Sequence, residues 1–173
     1  MEPILTTALI IILVIAVVFD LRSSRIPNWL TFPAMSVALA GHAWMGGVDG
    51  ALFSLAGLGI GLGLFFLIYL VGGIGAGDVK LMAAIGSFVG VNGVLTCACL
   101  AGIAGGVYAI AAMCYQWGVA ATGQRLAYAA CGAVLAGGTA WTKEFQLPFK
   151  LRYGLAIASG TLLFLVGLRP FGG

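Results

Sequence analysis

The feature that most constrains this chain is a set of long apolar stretches, centred on about residues 3–19, 29–45, 51–71, 79–91, 93–115 and 153–168. A helix needs about 20 predominantly apolar residues to cross about 30 Å of hydrocarbon. With 62% hydrophobic and 8% charged residues, the chain has too few polar groups to cover a globule in water. The expected fold is therefore all-α: one polytopic membrane bundle over residues 1–173, with six transmembrane helices. Its 28 glycines would weaken helices in water, but between membrane helices small residues let backbones approach closely.

Local signals fill in the connections. The first stretch has Glu2 before it, Arg22 and Arg25 beyond it and no small-residue cleavage pattern, so it is expected to remain as a helix rather than be removed as a signal. Ile26-Pro27 favours an extended start to the second stretch, which Asn28 can cap. Turns are expected at Gly46, Gly47 and Asp49 and at Asn92-Gly93. Residues 116–150 mix Arg125, Lys143 and Glu144 with Ala, Gly and Trp, the pattern of a loop with an interfacial amphipathic helix.

Short cytoplasmic loops carry an excess of Lys and Arg. With the N-terminus outside, Arg22, Arg25, Lys80, Arg125, Lys143, Lys150 and Arg152 face the cytoplasm and Arg169 alone lies outside. This topology accounts for the net charge of +3 without a nucleic-acid partner, and Trp29, Trp44, Trp117 and Trp141 fall mostly near span ends, where interfacial aromatic belts occur.

The same topology sorts the five acidic residues. Glu2 and Asp49 lie outside and Glu144 is a loop charge, which leaves Asp20, closing the first stretch, and Asp78, closing Gly75-Ala76-Gly77-Asp78-Val79-Lys80-Leu81. A charged side chain at the bilayer centre costs about 2.5–3.5 kcal/mol on insertion scales, so acids at the mouths of membrane helices point to function. Both face the cytoplasm, as they must if they are to meet. Two adjacent carboxyls share a proton, so that one can accept a proton from water while the other polarises a carbonyl; this is hydrolysis without a metal. Which of the two holds the proton is left open. Gly75 and Gly77 permit unusual backbone angles and close approach of a substrate backbone, and Lys80 can tune the charge of the pair.

His42, inside an apolar stretch, reads as a hydrogen-bonded bundle residue. The cysteines Cys97, Cys99, Cys114 and Cys131 form no Cys-x-x-Cys pair and read as reduced packing thiols, so no metal or cofactor is expected.

Taken together, Asp20 with Ile26-Pro27-Asn28, followed by Gly75-Ala76-Gly77-Asp78-Val79-Lys80, resembles the type IV prepilin peptidases, membrane aspartic proteases of the Gly-x-Gly-Asp class. Tyr153-Gly154-Leu155-Ala156-Ile157 is similar to the family's last-helix segment, with Arg152 where Pro is usual. The paired Cys-x-x-Cys insert of the larger bacterial members, which also N-methylate their product, is missing. The chain thus resembles the short tight-adherence (Flp) pilus enzymes of the TadV/CpaA type and archaeal preflagellin peptidases. The resemblance implies catalytic Asp20 and Asp78, with Gly75, Gly77, Lys80, Ile26, Pro27 and Asn28 shaping the site. It also implies prepilin or pseudopilin substrates cut after a basic leader, typically after Gly, at the cytoplasmic face of the inner membrane, with no cofactor and no methyl transfer. A second reading is a small proton- or cation-coupled transporter or channel subunit using the same aspartates; a third is a non-catalytic assembly subunit.

Overall fold

The computed structural model describes residues 2–23, 26–70, 74–119, 121–124 and 153–167. Among them the regular structure is helical: α1 (Pro3–Ser23), α2 (Asn28–Leu70), α3 (Ala76–Trp117) and α4 (Tyr153–Val166). The first three are long and apolar enough to cross a membrane, and α4 is a shorter apolar helix. The protein is an all-helical membrane bundle.

Two of these helices are broken inside. Gly47 has φ 58° and Gly90 φ 70°, left-handed values at which the helical hydrogen-bond ladder stops and which only glycine adopts freely. The breaks divide α2 into arms 28–46 and 48–70 and α3 into arms 76–89 and 91–117. With α1 and α4, these arms coincide with the six apolar stretches of the sequence. The turn expected at Asn92-Gly93 falls instead at Gly90. There the Phe53 ring occupies the space a Cβ would need, so a glycine has to stand at that point. Asn92 and Gly93 begin the next arm, where the Asn92 carbonyl accepts the Thr96 hydroxyl at 2.9 Å. Asp49 likewise lies within α2, beyond the turn.

Internal contacts divide the chain into two compact units, residues 1–105 with 152–173, and residues 106–151. In the second unit α3 ends at Gly118 (φ 80°), whose N–H bonds the Cys114 carbonyl at 3.0 Å, a left-handed helix stop. The interfacial helix expected within residues 116–150 falls mostly outside the described residues.

The first unit holds the core. In α1 the buried positions are Leu5, Leu9, Leu13, Ala16 and Asp20, one face of a helix repeated every three or four residues. That face packs on α2 and α4. Ile4, Ile11, Val14 and Val18 are exposed on α1, which suits a helix whose outer side meets lipid tails as apolar as they are. Arm 76–89 is the centre of the unit: Val79 and every residue of 81–90 are buried. Arm 48–70 lies against it antiparallel through glycines. Gly57 packs on the Gly86 carbonyl and Gly86 on that of Gly57, and a Cβ at Gly61 would lie 2.6 Å from the Met82 carbonyl oxygen. This is the close backbone approach that the glycine content implies.

At the C-terminal end of arm 76–89 the break strips carbonyls of their helical partners. Side chains on either side of the α2 turn replace them. The Ser54 hydroxyl donates to the Ser87 carbonyl at 2.9 Å, and His42, in the tautomer with hydrogen on Nε2, donates to the Phe88 carbonyl at 3.0 Å. The His42 ring also lies 5.0 Å from that of Phe53.

Candidate active site

The buried stripe of α1 ends on an acid. Asp20 is 5% exposed, and its Oδ2 is shielded from solvent. Over it lies the first turn of α4, where a Cβ on Gly154 would stand 2.7 Å from Asp20 Oδ2 and 2.8 Å from its Cγ.

Asp78 is held by the turn that starts α3. Its N–H, at 3.0 Å, and that of Val79, at 3.3 Å, bond the Gly75 carbonyl, which makes Gly75 the cap residue. The Asp78 side chain answers by accepting the Gly75 N–H on Oδ2 at 3.1 Å. This is the return half of a capping box, with an acid at the third helical position, where the dipole also favours negative charge. Asp78 is half-buried where Asp20 is buried.

The connector between α1 and α2 joins the two parts. A Cβ on Gly77 would lie 3.2 Å from the Ile26 backbone nitrogen and Cβ, so glycine there lets the connector lie flat on the start of α3. Lys80 Nζ donates to Asn28 Oδ1 at 2.9 Å and stands 5.7 Å from the centroid of the Phe32 ring, within the range of a cation–π contact. Asn28 thus spends its side-chain oxygen on Lys80 rather than on capping its own helix. The Phe19 and Trp29 rings meet edge to face at 5.6 Å across the same connector.

The end of α1, the connector, the start of α3 and the start of α4 therefore share one end of the bundle. Of the residues singled out from sequence, the structure pairs Gly75 with Asp78, Gly77 with Ile26 and Asn28 with Lys80, while Pro27 accepts the Leu30 N–H at 3.1 Å where α2 begins. Two neighbours escaped sequence reasoning. Phe32 lies one helical turn beyond Asn28, a spacing that places both on one face. Gly154 was visible only as part of the last-helix resemblance. His42 lies with Phe88 at the opposite end of arm 76–89 and is not part of this group. Among the described residues no cluster of three or more His, Cys, Asp and Glu forms a metal site.

Residues 7–110 match the model of the type IV leader peptidase family, a span that contains both aspartates, the connector and the start of α3. The chain belongs to the type IV leader peptidase family. Two curated relatives in this family, from Burkholderia pseudomallei strains 1026b and K96243, are each named prepilin leader peptidase/N-methyltransferase. Each is 31% identical over 142 residues, 78% of this chain and 44% of the relative. This type IV leader peptidase family member thus spans under half the length of the curated relatives it matches. No solved structure matches the chain. The first turn of α4 lies beyond the residues matched by the family model.

Proposed function

We propose that the protein is a prepilin leader peptidase, an intramembrane aspartic endopeptidase. It hydrolyses the bond after the basic leader of type IV or Flp-type prepilins or pseudopilins, typically after Gly. The observation that carries the reading is the sharing of one bundle end by Asp20 and Asp78, each seated against a glycine: Asp20 under Gly154 and Asp78 on the Gly75 N–H. Membership of the type IV leader peptidase family supports the substrate class.

In this reaction one carboxylate takes a proton from water, the resulting hydroxide adds to the scissile carbonyl, and the partner carboxylic acid donates its hydrogen bond to the developing oxyanion. Collapse of the tetrahedral intermediate breaks the C–N bond, with a proton returned to the leaving amine. The pair ends with one proton between its two carboxyls, as it began. Neither Gly75 nor Gly77 takes a positive φ; the space over Gly77 is filled by Ile26 and that over Gly75 by the Asp78 carboxyl.

Seven of the eight basic residues fall on the side of the aspartates when the N-terminus is outside, so the cut is assigned to the cytoplasmic face of the inner membrane. Lys80 is held by Asn28 and Phe32, both uncharged, so it keeps its positive charge at this face, and exposed Arg22 is suited to lipid headgroups.

The test is co-expression of wild type, Asp20→Asn and Asp78→Asn with a prepilin whose leader ends in Gly, reading the size and new N-terminus of the pilin. Cleavage by wild type alone, with both variants at normal membrane level, is expected. Equal cleavage by either variant overturns the carboxyl-pair reading.

A further inference from the structure

We infer that Gly154 is a positioning residue for the reaction: by lacking a side chain it lets the first turn of α4 rest directly on the Asp20 carboxyl and fixes that carboxyl's orientation. The inference rests on the reading of Asp20 as one of the reacting pair. A Cβ at Gly154 would stand 2.7 Å from Oδ2, 2.8 Å from Cγ and 3.1 Å from Cβ of Asp20, so the whole acid side chain lies along the glycine. Among the described glycines at which a Cβ would come within 3.0 Å of another group, Gly154 alone meets a carboxyl. Gly57 and Gly160 meet backbone, Gly41 the Leu5 side chain and Gly90 the Phe53 ring.

The helix cannot simply back away from an added side chain. On its other side α4 is seated on arm 91–117. Tyr153 lies against Gly105, 3.1 Å from where a Cβ there would stand, and Gly160 lies against Ala101, whose nitrogen is 2.5 Å from the corresponding point. An aspartate has a short side chain, so turning it about its first torsion moves the whole carboxyl. A methyl at position 154 is therefore accommodated by rotation of Asp20, not by movement of α4.

The test compares Gly154→Ala with Gly160→Ala, a substitution in the same helix whose overlap is with backbone. Prepilin cleavage is measured per molecule inserted, with kcat, KM and the pH–rate profile read separately. Gly154→Ala is expected to lower kcat by about 100-fold, the scale of a reacting group misplaced by about 1 Å, with KM unchanged and the pH–rate profile displaced. Gly160→Ala is expected to reduce the amount inserted while keeping wild-type kcat and pH profile per molecule. Wild-type kcat and profile in Gly154→Ala, or equal kcat losses in both variants, overturn the inference. Should Gly154→Ala fail to accumulate, the double variant with Asp20→Ala decides the matter, because removing the carboxyl makes room for the methyl. Recovery of the membrane level supports the contact, and continued absence overturns it. This last arm needs no cleavage, so a failure of the peptidase reading, seen as no cutting by wild type, is distinguishable from a failure of the Gly154 contact.

Discussion

Lys80 and Asn28 show how a single contact organises this site. A hydrogen bond to a charged group contributes about 1.5–3 kcal/mol when shielded from water; Lys80 is only half-buried and Asn28 exposed, so a smaller share applies here. Taking about 1 kcal/mol, Asn28→Ala is expected to lower cleavage about fivefold. Lys80→Met is expected to do the same, and the double variant to lose no more than either alone, since both remove one interaction. Additive losses in a prepilin cleavage assay would show that Lys80 acts on the reaction apart from Asn28. Both residues were legible in the sequence as individuals, through the Ile26-Pro27-Asn28 and Gly75 to Lys80 elements, but their partnership was not. Asn28 at a helix start reads as a cap, and only the fold of the connector over Gly77 brings Lys80 within 2.9 Å of its side chain.

Among the helices, the glycines separate into those that pack and those that do not. Gly57 and Gly86 each lie against the other's carbonyl, while Gly59 has no neighbour within the reach of a Cβ. Gly57→Ala is expected to reduce the folded protein recovered from membranes. Gly59→Ala is expected to leave it unchanged or raise it slightly, because glycine within a helix is less favourable than Ala by about 0.5–1 kcal/mol. Gly90→Ala combines two penalties. The backbone at φ 70°, ψ −173° costs about 1–3 kcal/mol for a residue with a Cβ, and the methyl would strike the Phe53 ring. Its thermal unfolding in detergent is expected to begin well below that of Gly59→Ala. The apolar stretches themselves were readable because crossing hydrocarbon imposes a length and forbids charge. The turn at Gly90 was not, because Asn92-Gly93 carries the stronger local signal and the reason for the break is a ring on a different arm. Gly154 was hidden in the same way: nothing near it in sequence says that α4 will lie on the last turn of α1.

For the molecule as a whole, the orientation can be read directly. With Asp20 and Asp78 at the cytoplasmic end, a cysteine placed at Ser23 is expected to react with a membrane-impermeant thiol reagent only in inverted vesicles, and one at Val48 only in intact cells. The reverse pattern would put the carboxyls outside and remove the access to a cytoplasmic leader on which the proposed reaction depends. The pilin product is expected to carry an unmethylated N-terminus when this chain is the only enzyme supplied, read by mass spectrometry. A further consequence comes from arm 76–89, buried throughout 81–90, anchored at one end by His42 and Ser54 and carrying Asp78 at the other. With about 1.5 Å of rise per residue, the arm acts as a gauge that sets the acid at a constant depth, about 15 Å from the Phe88 carbonyl. In the proposed reaction, a substrate whose apolar helix is halted at a given level in the bilayer is then expected to offer a single bond to the carboxyls. Inserting a single residue between the leader Gly and that helix shifts the junction by about 3.3 Å in extended chain, more than the tolerance of an acid–base reaction, so cutting should slow sharply or move to the neighbouring bond.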